Sequence, residues 1–372
     1  MDFPKTDGED LIRVRSLKAL WHIELNRPQV LNSLSLAMVR QLAQVLDAAQ
    51  QNPQVRCLLI TGSGPKAFCA GGDIKWVALQ VRSENRAEAK AFFHEEYALD
   101  LAVHRSSKPV VVVAHGVTMG GGLGLAAGAD IVLATETTHM AMPETRIGFF
   151  PDVGSTGWLY AKCPAGYPEY LALTGDSVLG FHAVRVGLAT HAVESYRLPD
   201  VLRALQDAAP ALTPERTTAQ KELFELMASF TRSEAIPVDA AMDTWVRSYF
   251  DGVSSVPELL KNLSQCQTQS RLCEGVFRRL SERSPTAVAL TLALLKVQRG
   301  RPIEEVLAMD ERVARWIIQH HDFWEGVRAR LIDKDNRPRW DPARYEEVRS
   351  FGPLDPFLQN PPEQEQARRP IK

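Results

Sequence analysis

Apolar and polar positions in the first half of the chain follow two rhythms. Residues 19–25 (ALWHIEL) come close to strict alternation and predict a strand. Leu36, Val39, Leu42, Val45, Leu46 and Ala49 recur at helical spacing behind the cap candidates Ser33 and Ser35. Three further runs, at 55–61, 109–114 and 130–135, are short, β-branched and apolar through their centres, as strands buried on both faces are. Helical stretches fall between them, over 88–104 and from Gly120 onward. Strands alternating with helices predict an α/β fold around a largely parallel sheet.

After about Glu194 the rhythm becomes helical. Residues 198–212 and 214–231 carry helical patterns, and Ser284-Pro285-Thr286 caps an Ala- and Leu-rich helix running to about Gly300. Over 302–320, Val306, Met309, Val313, Trp316 and Ile317 form one apolar stripe. The chain therefore divides into an α/β core over 11–195, a mainly helical region over 196–345 and a tail over 346–372. Pro353, Pro356, Pro361, Pro362 and Pro370 among polar residues predict that the tail is loosely ordered.

Composition removes several function classes. The 372 residues are 45% hydrophobic and 24% charged, as in a soluble globular protein. A net charge of −2 and a pI near 6.5 leave no basic footprint for nucleic acid. No apolar run reaches the roughly 18 residues of a membrane span. The acidic start lacks a secretory or transit pattern, so the expected location is cytoplasmic. Cys57, Cys69, Cys163, Cys266 and Cys273 show neither a Cys-x-x-Cys pair nor zinc spacing and are expected to be free thiols in a reducing compartment. His22, His115 and His191 lack ligand partners at metal spacing, so no metal is implied.

Candidate chemistry gathers at three places. The first glycine turn, Ala70-Gly71-Gly72-Asp73, follows the strand that ends at Thr61; the second, Gly120-Gly121-Gly122-Leu123-Gly124, follows the strand at 109–114 and opens a helix. The second turn does not fit a dinucleotide fingerprint, because Gly122, Gly124 and Gly128 are spaced Gly-x-Gly-x-x-x-Gly and come late in the chain. It also lacks the Gly-Lys-Ser/Thr ending of a phosphate loop. Backbone N–H groups from two such turns can converge on one developing oxyanion, which is what acyl chemistry needs. The third place is 143–152 (PETRIGFFPD), where Glu144 and Asp152 bracket an apolar stretch. Carboxylates held against apolar side chains are poorly solvated, and their raised pKa suits proton transfer or attack.

These motifs, in this order, resemble the crotonase (enoyl-CoA hydratase/isomerase) superfamily. The resemblance rests on LNRP with LNSL (25–34), AFCAGGDI (67–74), HGVTMGGG (115–122), MPET with FPDVG (142–154), LALTG (171–175) and DFWEGVRARLIDKD (322–335), and it spans about 11–345. It implies a spiral of ββα units with a mainly helical C-terminal region and an acyl-CoA thioester as substrate. Coenzyme A belongs to that substrate, and no further cofactor is implied. Gly72 and Gly121 match the family's oxyanion positions, Glu144 its catalytic glutamate, Asp152 a second carboxylate and Glu96 a substrate-contacting acid. Lys66, Lys75 and Lys334 are candidates for the coenzyme phosphates. Similar hydratases carry a glutamate two residues past the glycine triplet, where this chain has Gly124, so the resemblance favours hydrolysis of a short 3-hydroxyacyl-CoA, foremost 3-hydroxyisobutyryl-CoA. A hydratase or isomerase and a non-catalytic acyl-CoA-binding protein are the alternatives. Family relatives form homo-oligomers, whereas the long helical half here offers a way to cover the chain's own site.

Overall fold

The computed structural model describes residues 10–83, 85–267 and 269–359. Its larger sheet has six strands in the order Ile12–Leu17, Leu20–Leu25, Cys57–Gly62, Val110–Ala114, Ile131–Ala134 and His191–Ala192. The first pair is antiparallel and the rest run parallel. Alternate side chains of the apolar strands enter different clusters: Leu58, Ile60, Val110, Val112 and Val132 on one face, and Cys57, Leu59, Val111, Val113, Ile131 and Leu133 on the other. Both faces are therefore covered, which is why these strands read as continuous apolar runs.

A second sheet has four very short strands, Ala67–Cys69, Val117–Met119, His139–Ala141 and Val178–Leu179. The first three are parallel neighbours. Each follows a strand of the larger sheet and leads toward a helix, so the chain advances as repeated ββα units, the spiral that the resemblance implies. Strands of two or three residues carry no alternation, and the sequence did not announce them.

The helices expected in the first half form over Leu36–Gln51, Arg86–His104 and Gly121–Gly128. Ser35 caps the first by accepting from the Met38 amide at 3.2 Å, and Ser284 caps Pro285–Gln298 by accepting from the Ala287 amide at 3.1 Å. The helical second half divides its work. Leu198–Ala208 and Arg216–Ala228 cover the far face of the larger sheet, while Pro285–Gln298 and Ile303–Ile317 join the main apolar cluster on the near face. That cluster runs from Ile12 to Leu354, across the expected 195/196 division.

Two sequence expectations change. Cys266 and Cys273 form a disulfide, with their Cα atoms 6.3 Å apart, so only Cys57, Cys69 and Cys163 are free. Cys266 follows the helix Val256–Ser264 and Cys273 sits in the helix Ser270–Ser281, a local pairing that spacing did not reveal. The first part of the tail is also ordered: Gly352–Leu354 and Asp355–Leu358 form short helices, and Leu354 is buried. Residues 360–372, with Pro361, Pro362 and Pro370, lie outside the described residues.

Candidate active site

The three candidate motifs meet because the small sheet aligns their strands. Val117–Met119 pairs in parallel with Ala67–Cys69 on one side and with His139–Ala141 on the other. Gly72, Gly121 and Glu144 each follow within three residues of one of these strand ends, so all three emerge at the same edge. Functional groups in parallel sheets commonly gather outside the carboxyl ends of the strands for this reason.

The glycine turns touch. A side chain on Gly71 would sit 3.4 Å from the Gly121 nitrogen, and one on Gly120, whose φ is +49°, would come 3.0 Å from Glu144 Oε1. Glu96, on the Arg86–His104 helix, reaches the same spot. Its Oε1 would be overlapped by a methyl on Gly121 and would lie 3.5 Å from one on Gly72. Glycine at 71, 72, 120 and 121 thus leaves room for backbone and carboxylates to approach closely. Neither the Gly72 nor the Gly121 N–H has a protein acceptor among the described residues, and both glycines line one cavity.

The acids around this cavity are buried. Glu144 is 8%, Asp152 5% and Glu96 2% exposed, so burial dominates their protonation. Burial pushes Glu144 and Glu96 well above the ordinary carboxyl range, and the nearby Asp152 charge pushes each further. Asp152 is raised to about 7 by burial, opposed by the Tyr97 hydroxyl, which donates to Asp152 Oδ2 at 2.7 Å. Glu144 Oε2 and Glu96 Oε1 have no hydrogen-bond partner among the described residues. A buried oxygen without a donor is costly unless a ligand or water completes it.

The apolar stretch between Glu144 and Asp152 forms the dry wall. Phe149 and Phe150 are buried, and Phe149 stacks on Phe93 with ring centroids 5.3 Å apart and meets Phe323 at 5.7 Å. The His321–Val327 helix lies directly on this wall: a side chain on Gly326 would overlap the Ile147 backbone, and one on Gly148, at φ +70°, would overlap the Asp322 carbonyl. Beyond that helix, Arg330, Leu331 and Asn336 complete a cavity of about 320 Å³ that also contains Gly72, Gly121, Glu96, Glu144 and Asp152. The helical half of the chain therefore lines its own site.

The structure brings together five of the expected residues, Gly72, Gly121, Glu144, Asp152 and Glu96. Lys66, Lys75 and Lys334 are exposed and do not line the cavity. Its cationic side chains are Arg146 and Arg330, which the sequence reading passed over.

A family model for enoyl-CoA hydratase/isomerase matches residues 20–351. The chain belongs to that family. Among relatives, the mitochondrial 3-hydroxyisobutyryl-CoA hydrolase of Homo sapiens is 36% identical over 92% of this chain and 87% of its own length. That of Xenopus laevis is 39% identical over 88% of this chain and 83% of its own length. Their mitochondrial names lend no support to the cytoplasmic location expected here. Among solved structures, a carnitinyl-CoA dehydratase from Mycobacterium thermoresistibile superposes with a TM-score of 0.81 at 30% identity, covering 94% of this chain and 98% of that one. An enoyl-CoA hydratase from Rhodobacter sphaeroides gives 0.81 at 30%, covering 93% and 98%.

Within the enoyl-CoA hydratase/isomerase family, Gly124 is the informative departure. A side chain there would meet the Val153 Cβ at 2.7 Å and Asp100 Oδ1 at 3.1 Å, so no glutamate fits without rearrangement. Asp100, one helical turn beyond Glu96, is 1% exposed with no partner on either oxygen among the described residues. Burial and the charges of Glu96, Asp152 and Asp310 favour its neutral form. Tyr97 and Asp100 escaped the sequence reading because both lie on the apolar face of a long helix, where a polar letter gives no sign of which way it is aimed. The i, i+4 spacing of Glu96 and Asp100 was the available signal.

Proposed function

We propose that the chain hydrolyses a short 3-hydroxyacyl-CoA thioester, foremost 3-hydroxyisobutyryl-CoA, to the free hydroxyacid and coenzyme A. Such a reaction belongs to valine breakdown. The observation that carries the reading is the buried Glu144 carboxylate, its Oε2 without a donor among the described residues, sharing one cavity with the unengaged amides of Gly72 and Gly121. The names of the relatives supply the substrate class.

With the thioester oxygen on the two amides, the carbonyl carbon faces Glu144. Glu144 either attacks that carbon itself or takes a proton from a water that attacks. The oxygen gains negative charge in the transition state, where prealigned donors count most. Collapse breaks the carbon–sulfur bond, the thiolate leaves and takes up a proton, and one water is consumed overall. Asp152, held by Tyr97, orients the water or the substrate hydroxyl, and Glu96 accepts from that hydroxyl. The phenyl wall keeps bulk water out.

A panel of acyl-CoA esters assayed by thiol release tests the proposal. Fastest release from 3-hydroxyisobutyryl-CoA is expected. Loss of enoyl absorbance without thiol release would make the chain a hydratase instead, and neither signal would leave an acyl-CoA-binding protein.

A further inference from the structure

The cavity has an acidic, apolar depth and a cationic rim. Glu96, Asp152 and Phe149 are buried in its wall, whereas Arg146 and Asn336 are exposed and Arg330 and Leu331 half-buried. Arg146 lies two residues past Glu144 and is exposed; Arg330 comes from the RARLIDKD segment and is half-buried. A third guanidinium, Arg283, is 6% exposed behind them, held by donation from Nη2 to the Thr174 carbonyl at 2.9 Å.

Most of the acids near these arginines are committed elsewhere, and Glu282, whose charge acts on Arg283 and Arg330, forms no ion pair with either among the described residues. Asp176 pairs with Arg279 at 2.8 Å, and Asp333 and Asp335 both pair with Arg328, at 2.6 and 2.7 Å. Among the described residues no carboxylate forms an ion pair with Arg146, Arg283 or Arg330. Among the described residues the Nε atoms of Arg283 and Arg330 are buried without an acceptor, and Arg330 Nη1 donates only to the neutral Asn336 side chain, at 2.9 Å. Burial, with the charges of Arg146, Arg279 and Arg330, lowers Arg283 to about 10. Gathering like charges is unfavourable unless an anion arrives to satisfy them.

We propose that Arg146 and Arg330, backed by Arg283, form an anion subsite at the cavity rim that holds a phosphate of the coenzyme portion of the substrate. A thioester with its carbonyl on the glycine amides and its acyl group against Phe149 must send its coenzyme arm out past this rim. Guanidinium forks match phosphate oxygens in shape and charge. The ion pairs around Arg328 brace the turn that presents Arg330, which gives the LIDKD segment a part in substrate recognition.

This inference rests on the hydrolase reading, and the experiment separates the two. Wild type, Arg146→Gln/Arg330→Gln and Arg146→Lys/Arg330→Lys are assayed on one acyl group carried by coenzyme A or by pantetheine, which has no phosphate. The Gln pair should lower the ratio of kcat/KM for the coenzyme ester over the pantetheine ester by about tenfold, mainly through KM, and the Lys pair by less. Added salt should lower that ratio in wild type and hardly in the Gln pair. A ratio unchanged in the Gln pair would overturn the subsite. If wild type cleaves neither ester, the hydrolase reading fails, and calorimetry with coenzyme A decides: binding weakened in the Gln pair supports the subsite, and equal binding rejects it.

Discussion

Glu144 has one oxygen against Gly120 and the other without a donor among the described residues, so burial outweighs the one backbone hydrogen bond that favours its charge. Replacing it by Gln keeps the shape and removes the base or nucleophile. Turnover should fall on the order of a hundred- to ten-thousand-fold while affinity for a non-hydrolysable acyl-CoA analogue is kept, measured by thiol release and calorimetry. Tyr97 acts on Asp152 through its hydroxyl, which favours the ionised form. Tyr97→Phe should therefore shift the acid limb of the kcat/KM profile to higher pH, since Asp152 then holds its proton longer. The limb belongs to the coupled acids Glu144, Asp152 and Glu96 together. An unmoved limb would remove Tyr97 from the proton chemistry. At this scale the glycines and the PETRIGFFPD acids were legible from sequence, because their residue types are unusual for their surroundings. Arg146 and Arg330 were not, because surface-prone arginines far apart in sequence carry no local sign of meeting at one rim.

Among elements, the contact between the wall at 147–151 and the His321–Val327 helix decides the cavity's shape. Both sides rely on glycine: Gly326 faces the Ile147 backbone, and Gly148 faces the Asp322 carbonyl. Gly326→Ala should cost about 1–3 kcal/mol of stability, the usual price of overpacking a tight site. It should also lower kcat, since the wall leads directly into Glu144; urea denaturation and thiol release would measure the two effects. A variant as stable and as fast as wild type would show that the helix does not position the wall. Long, periodic elements such as Leu36–Gln51 and Ile303–Ile317 were legible in the apolar pattern. The small sheet was not, although its strand ends align the site. Three-residue strands gain their stability from neighbours, and local sequence does not record that.

Across the whole molecule, burying several carboxyls at one cavity sets how stability varies with pH. Burial raises Glu144, Glu96 and Asp152 above their unfolded values, so folding favours their neutral forms. That contribution is fully present below the ordinary carboxyl range and is lost as pH rises through the raised folded-state range, about 7 for Asp152 and well above the ordinary carboxyl range for the other two. Asp152→Asn should therefore be more stable than wild type at about pH 8, with the difference narrowing toward about pH 5, as read from denaturation midpoints. An equal difference at both values would mean that Asp152 titrates normally. The sequence showed the α/β core and the helical half and offered that half as a cover for the site, but not which of its residues line the cavity, because that depends on how distant helices pack. The account is tested most directly by a crystal structure of Glu144→Gln with 3-hydroxyisobutyryl-CoA bound. The thioester oxygen should lie about 2.7–3.1 Å from both the Gly72 and the Gly121 nitrogens, with its carbon facing position 144. A carbonyl oxygen bound away from either amide would contradict it.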